Sequence, residues 1–193
     1  MSLKNQGITL IEVMVTLAIT TTGLLGISAL QLQSNRANQD SGNRSQAVWM
    51  LEDLANRINA NSTSWQNYDT SGVYSCPSSP PTRCADYYSG GSKTSSAACT
   101  SAQIAAFDLW DVACPHSETI SVNGKTVKIR QSYADFISNP KLSVTTSAIN
   151  NQATISLTWD ARTSGTDGNG NTQFIIDESS SNRSVTLTRQ VQL

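Results

Sequence analysis

Between positions 8 and 32 the chain runs for 25 residues with a single ionisable side chain, Glu12. As a helix rising about 1.5 Å per residue, this stretch would reach roughly 37 Å, enough to cross a hydrocarbon core of about 30 Å with some tilt. Ahead of it stand seven residues, a short and largely polar stretch made positive by Lys4. A secretory signal would have a shorter apolar stretch with a small-residue cleavage site behind it. Here the small residue, Gly7, precedes the run, so cleavage after it would remove a leader (1–7) and leave the anchor (8–32) attached.

Glu12 needs a physical reason to be there. A carboxylate within an apolar span costs on the order of 2.5–3.5 kcal/mol on insertion scales, and such residues are usually functional. One reading lets Glu12 snorkel to the interface. The other pairs it with a positive charge: if the chain starts at Ile8, the new α-amino group lies four residues away, or on a neighbouring copy. An ion pair of that kind would fix register, because an unpaired carboxylate in an apolar bundle is strongly penalised.

Gly7-Ile-Thr-Leu-Ile-Glu12-Val, followed by Met14-Val-Thr-Leu-Ala, resembles the class III signal of type IV pilins and pseudopilins. The resemblance implies that a prepilin peptidase cuts after Gly7, that Ile8 becomes the N-methylated first residue, and that Glu12 sets assembly register. The family usually has Phe where this chain has Ile8, a departure that points to a low-abundance subunit. Two further stretches, residues 23–33 with 44–61 and residues 99–110, are similar to the PilV family of minor pilins. That resemblance implies a tip or priming complex built with other minor pilins and the major pilin on an inner-membrane assembly platform, supporting a large tip adhesin. It places the chain in the inner membrane, single-pass with its head in the periplasm, and after assembly in the fibre at the cell surface. A type II secretion pseudopilin shares the same leader and glutamate, and is the alternative.

Beyond Leu32 the helical pattern continues. Ala47, Val48, Leu51, Leu54, Ala55 and Ile58 fall at helical spacing, opposite Glu52, Asp53, Asn56 and Arg57. Residues 33–61 therefore read as the amphipathic second half of one long helix, and 62–193 as a globular head. From 61 to 98 the chain is rich in loop signals, among them Pro77, Pro80, Pro81, Gly90 and Gly91. Thr100 and Gln103 form a capping-box pattern ahead of a short helix whose Ile104, Phe107 and Leu109 or Trp110 would face the core. Further on, 119–122 and 126–131 flank Asn123-Gly124, a hairpin signal. A second pair, 142–146 and 153–159, surrounds Asn150-Asn151, and 184–193 alternates as a final strand. One sheet of four or five strands covering the helix stripe gives an α+β fold.

Cys76, Cys84, Cys99 and Cys114 all lie beyond the anchor, and an even count in an oxidising compartment predicts two disulfides. The intervening spacings of 7, 14 and 14 residues do not fit a paired zinc knuckle. Three connectivities are open. The resemblance to minor pilins implies Cys84 with Cys99, leaving Cys76 with Cys114.

Composition excludes other classes. With 13 basic and 14 acidic residues, net charge −1, there is no surplus to set against a phosphate backbone. A small local patch including Arg183 and Arg189 leaves direct DNA or glycan binding by the head as a further reading, as do the aromatic residues Trp65, Tyr68, Tyr74, Tyr87 and Tyr88. Asp167, Asn169, Asn171 and Glu178 stand at calcium-loop positions, yet Thr172 occupies the place that needs Gly, and a solvated turn explains the stretch equally. His116 beside Ser117 and Glu118 reads as a surface histidine, since no nucleophile motif is present. No catalytic set, metal site or cofactor is expected.

Overall fold

The computed structural model describes residues 9–89, 92–130, 132–161, 164–166, 172–174 and 184–193. Internal contacts divide the chain into two compact units, Met1–Gln39 and Asp40–Leu193.

The first element is a single helix, α1 (Leu10–Ala60, 51 residues). Thr9 starts it: its carbonyl accepts the Glu12 and Val13 amides at 3.1 and 3.3 Å. Its Oγ1 lies 3.4 Å from the Glu12 amide, which leaves one fewer orphan donor in the first turn. Helix α1 ends where Asn61 leaves helical geometry, φ −104° and ψ 38°. The Asn61 side chain there donates to the Ser101 carbonyl at 2.8 Å.

In the second unit the helix buries one stripe, Ala47, Met50, Leu51, Leu54, Ala55 and Ile58. The steps of three, one, three, one and three residues keep all six on one face of a 3.6-residue period. These side chains join a core with Phe107, Leu109, Trp110 and Val112 of the second helix, α2 (Ser101–Ala113). Helix α2 begins in a complete capping box: Thr100 Oγ1 accepts the Gln103 amide, and the Gln103 side chain accepts the Thr100 amide.

Strands β1 (Tyr87–Ser89) and β2 (Ser92–Thr94) form a short antiparallel pair. A longer hairpin joins β3 (Ser117–Val122) and β4 (Lys125–Arg130) through Asn123 and Gly124, at φ 52° and 74°. Both residues lie in the left-handed region that a two-residue hairpin turn requires. The main sheet has the order β5 (Lys141–Ser147), β6 (Gln152–Asp160) and then the last strand, with β7 (Ser164–Thr166) and β8 (Thr172–Phe174) paired separately. That last strand, β9 (Ser184–Gln192), runs antiparallel to β6.

Central strand β6 alternates without exception, burying Ala153, Ile155, Leu157 and Trp159. The register sets Leu142 against Leu157 and Val144 against Ile155 on one side. On the other it sets Leu187 against Leu157 and Val185 against Trp159. The inward face thus becomes a stack of cross-strand apolar pairs.

The sheet differs from the four or five strands that the sequence suggests. Among the described residues it has three, because there β3 and β4 pair only with each other. Between β4 and β5 the chain makes a 3₁₀ turn at Tyr133–Phe136 and passes Pro140. Pro140, which has no amide to donate to a ladder, stands just before β5. The free edge of β5 is covered instead by an irregular segment. Thr70 donates its amide to the Val144 carbonyl at 3.0 Å and Tyr74 to the Leu142 carbonyl at 2.7 Å. Asp69 accepts the amide and hydroxyl of Thr146 at 2.8 and 3.0 Å.

Candidate functional site

Gly7 and Ile8 lie outside the described residues. Glu12 is described: it sits in the first turn of α1, is exposed, and makes no ion pair among the described residues. Its carboxylate is close to the positive end of the helix dipole, a favourable place for an anion. Around it, Leu10, Ile11, Met14, Leu17, Ile19, Leu24, Leu25, Leu30 and Leu32 are each more than half exposed. This segment is long and apolar enough to cross a membrane.

The hydroxyls within it do not look outward for partners. Thr16 donates to the Val13 carbonyl at 2.9 Å, Thr20 to Thr16 at 2.8 Å, Thr21 to Ala18 at 3.0 Å and Thr22 to Ile19 at 2.9 Å. Ser28 does the same to Leu24 at 2.9 Å. Back-bonding of this kind satisfies each hydroxyl inside the helix. These hydroxyl residues therefore carry no unsatisfied donor into an apolar environment, and Glu12 is left as the segment's one unpaired polar side chain. Sequence reading missed this, although hydroxyl residues inside an apolar helix signal it.

Residues 2–28 match the prokaryotic N-terminal methylation motif. Residues 29–110 match the family model described as Tt1218-like, type IV pilin Tt1218. The two matches support a type IV pilin. Pilins of this family are structural subunits that assemble with other pilins in a pilus, and the apolar segment with its methylation motif fits membrane anchoring before assembly. No curated protein matches the chain, and no solved structure does.

The second unit contains a polar cluster that the sequence did not show. Arg57, placed on the solvent side by helical spacing, has most of its side chain buried. It donates to Asp53 at 3.1 Å, to Asp108 at 3.0 Å and to Asp111 at 2.8 Å. Burial works against its charge, but the three carboxylates outweigh it and hold its pKa above the ordinary value. Tyr68, fully buried, donates its hydroxyl to Asp108 at 2.6 Å. Burial first, and then that bond to a carboxylate, push the phenol's pKa up.

His116 is not the surface histidine that its neighbours in sequence suggest. Its side chain is 9% exposed. The ring stacks on Trp110 with centroids 4.4 Å apart. Nε2 lies 3.2 Å from Asp111 and Nδ1 lies 2.9 Å from the Cys114 carbonyl. Burial favours the neutral ring, but the bonds to Asp111 and to Cys114 prevail and raise its pKa from 6.5. Asp111 is lowered in turn: burial opposes this, and His116 and Arg57 overcome it. With both ring nitrogens engaged, His116 has none left to activate a nucleophile, and the cluster acts as a structural clamp between α1 and α2.

The structure bonds Cys76 to Cys114 and Cys84 to Cys99. Arg83, beside the second pair, stacks over Tyr87 at 4.2 Å and faces Trp110 at 5.1 Å while pairing with Glu118 at 3.2 Å. Of the loop aromatics, Tyr68 is in the core, Trp65 and Tyr74 pack against it, and Tyr88 is exposed. The calcium-loop residues Asp167, Asn169, Asn171 and Glu178, and Arg183, lie outside the described residues. Among the described residues no three His, Cys, Asp or Glu side chains come together as a metal site. A pocket of about 350 Å³ is lined by Pro115, His116, Ser117, Lys128 and Asp135.

Proposed function

We propose that this chain is a minor pilin of the PilV kind, cleaved by a prepilin peptidase after Gly7, N-methylated on Ile8, and assembled with other minor pilins into a tip complex that primes fibre polymerisation and supports an adhesin. One observation carries the reading. The first half of α1 leaves its apolar side chains uncovered, satisfies its own hydroxyls, and keeps one unpaired carboxylate at its start. Such a segment suits lipid first and a bundle of like helices afterwards. There Glu12 meets the α-amino group of Ile8, in its own chain or a neighbour's, and a misregistered helix leaves the carboxylate unpaired. The similarity of residues 44–61 and 99–110 to minor pilins supports the finer assignment, as does Ile8 in place of the usual Phe.

Intact-mass and amino-terminal analysis of the chain from sheared filaments and from inner membrane tests the processing. A species beginning at methylated Ile8 in both fractions is expected, and a chain still beginning at Met1 would overturn it. Glu12→Ala is expected to leave cleavage intact while lowering the filament-bound fraction at least tenfold. Normal incorporation of that variant would remove the register role. Deleting the chain is expected to reduce fibre number, whereas lost secretion of folded proteins with normal fibres would place it in a type II secretion system.

A further inference from the structure

The β3–β4 hairpin and the 3₁₀ turn at Tyr133–Phe136 both contribute to the pocket of about 350 Å³, the first through Ser117 and Lys128 and the second through Asp135. Lys128 is registered opposite Thr119, so Ser117 and Lys128 share one face of the hairpin as diagonal neighbours. A side chain as long as lysine reaches across that diagonal. The volume lies at the small end of the range of about 300–1,000 Å³ usual for small-molecule sites. Such sites are lined mostly by apolar side chains, whereas here a hydroxyl, an ammonium and a carboxylate converge.

A second observation concerns the carboxylate. Asp135 Oδ2 is shut away from solvent and accepts no hydrogen bond, alone among the buried side-chain nitrogens and oxygens of the described residues. Buried polar atoms have partners as a rule, and an orphan calls for one from outside the chain. Asp135 and Lys128 line one pocket with opposite charges, yet neither makes an ion pair among the described residues. The walls are nonetheless fixed. Ser132, 1% exposed, accepts the Ala134 amide at 3.1 Å and donates to the Val112 carbonyl of α2 at 3.2 Å, which ties the turn that carries Asp135 to the core. His116 is held at Nε2 by Asp111 and at Nδ1 by the Cys114 carbonyl, which leaves side-chain hydrogen bonding in the pocket to Ser117, Lys128 and Asp135.

We infer that this pocket of the head binds a small zwitterion of the α-amino acid class. The ligand's ammonium donates to Asp135 Oδ2 and supplies the missing partner. Its carboxylate accepts from the Lys128 ammonium and the Ser117 hydroxyl. Both contacts are charge-assisted, and each opposite charge in the pocket meets its complement. A lone anion would bring its charge against Asp135, and a lone cation would bring its charge against Lys128. A neutral polyol would satisfy Oδ2 but leave the two charges without counter-charges. Because the walls are already tied to α2 and to Asp111, little ordering accompanies binding. The inference goes beyond the assembly role and does not depend on it, since the site lies wholly within the second unit.

The test is saturation-transfer NMR on the full-length chain in a polyoxyethylene detergent, whose headgroup carries neither charge, with L-alanine, acetate, ethylammonium and glucose as probes. L-Alanine is expected to give a saturable signal, and acetate and ethylammonium to bind about tenfold more weakly or less. Asp135→Asn and Lys128→Met are each expected to weaken L-alanine by about tenfold or more. Neither variant is expected to lower the thermal midpoint, because neither side chain has a partner to lose. Lys128→Met, at an exposed position, keeps the test decisive should Asp135→Asn disturb the turn. No saturable L-alanine signal, or one undiminished in Lys128→Met, overturns the site. Acetate binding as well as L-alanine would make it a simple anion site, and a glucose signal in place of L-alanine a polyol site, and either result overturns the assignment.

Discussion

Two stretches of one helix use the same apolar side chains and meet opposite fates. Leu10, Leu25 and Leu30 are 78%, 71% and 72% exposed, whereas Leu54 and Ile58 are fully buried. The difference lies in pattern. From Ala47 to Ile58 the apolar residues make one stripe, which a single layer of sheet and helix can cover. From Leu10 to Leu32 they surround the helix, and a helix apolar all round is covered only by a bilayer or by other helices. The polar groups follow the same division. In the first stretch each hydroxyl turns back onto its own helix, and in the second the charges gather into a cluster that ties α1 to α2.

The sharpest way to break this comparison is to shorten one leucine in each stretch. Leu54→Ala is expected to destabilise the head by about 4 kcal/mol, as for a fully buried leucine that leaves a cavity. Leu24→Ala is expected to leave the head's unfolding midpoint unchanged. Denaturant unfolding of the full chain in detergent, followed by tryptophan fluorescence, reads both, and equal losses would mean that the first stretch also serves the head.

A smaller effect is expected from the polar cluster. Asp108→Ala strips the fully buried Tyr68 hydroxyl of its shortest bond and one carboxylate from Arg57, at a cost of about 2 kcal/mol. Asp53→Ala, on the more exposed side of the same arginine, is expected to cost under about 1 kcal/mol. Reversal of that order in the same unfolding assay would show that the cluster is held from α1 rather than across to α2.

The smallest effect is in pH. The folded head binds the His116 proton more tightly than the unfolded chain, so this contribution is complete below about pH 6.5 and is lost as pH rises through the raised value. Asp111 acts in the other direction, its contribution being present above 3.8 and lost as pH falls through the lowered value. Asp111 and Arg57 on one side, and Arg83 on the other, set this balance around the ring. Thermal unfolding is therefore expected at its highest midpoint between about pH 4 and 6.5, with the upper limb flattened by His116→Gln. A wild-type midpoint that climbs from pH 6 to 8 would contradict the clamp.

Features set by neighbours along the chain are legible in the sequence itself. The α1 stripe, save that Val48 is 43% exposed and Met50 takes its place in the core, the Thr100–Gln103 capping box, the Asn123-Gly124 hairpin and the alternation of β6 each follow from local periodicity or from one backbone requirement. The polar cluster is not legible in that way, because Asp53, Arg57, Tyr68, Asp108, Asp111 and His116 come from four separate segments. Asp108 gives no sign of burial, since a charge within a helix reads as solvated until its partner is known. The main sheet is overcounted from sequence for a related reason: a hairpin signal fixes its own two strands and says nothing about a third. At the amino terminus the motif is plain in the residues, while the inward turn of the threonine hydroxyls depends on side-chain rotamers that periodicity does not reach.

Those hydroxyls bear on how a fibre could be held together. With Thr16, Thr20, Thr21, Thr22 and Ser28 bonded to their own carbonyls, this part of α1 offers a neighbour shape and contact area but few bonds with a direction. A contact of that sort is nearly indifferent to rotation about the helix axis or to a small slide along it. In the proposed assembly, orientation would then fall to the two ends, to the carboxylate at the start and to the head beyond, and the middle would leave lipid and return to it without a hydrogen bond being exchanged.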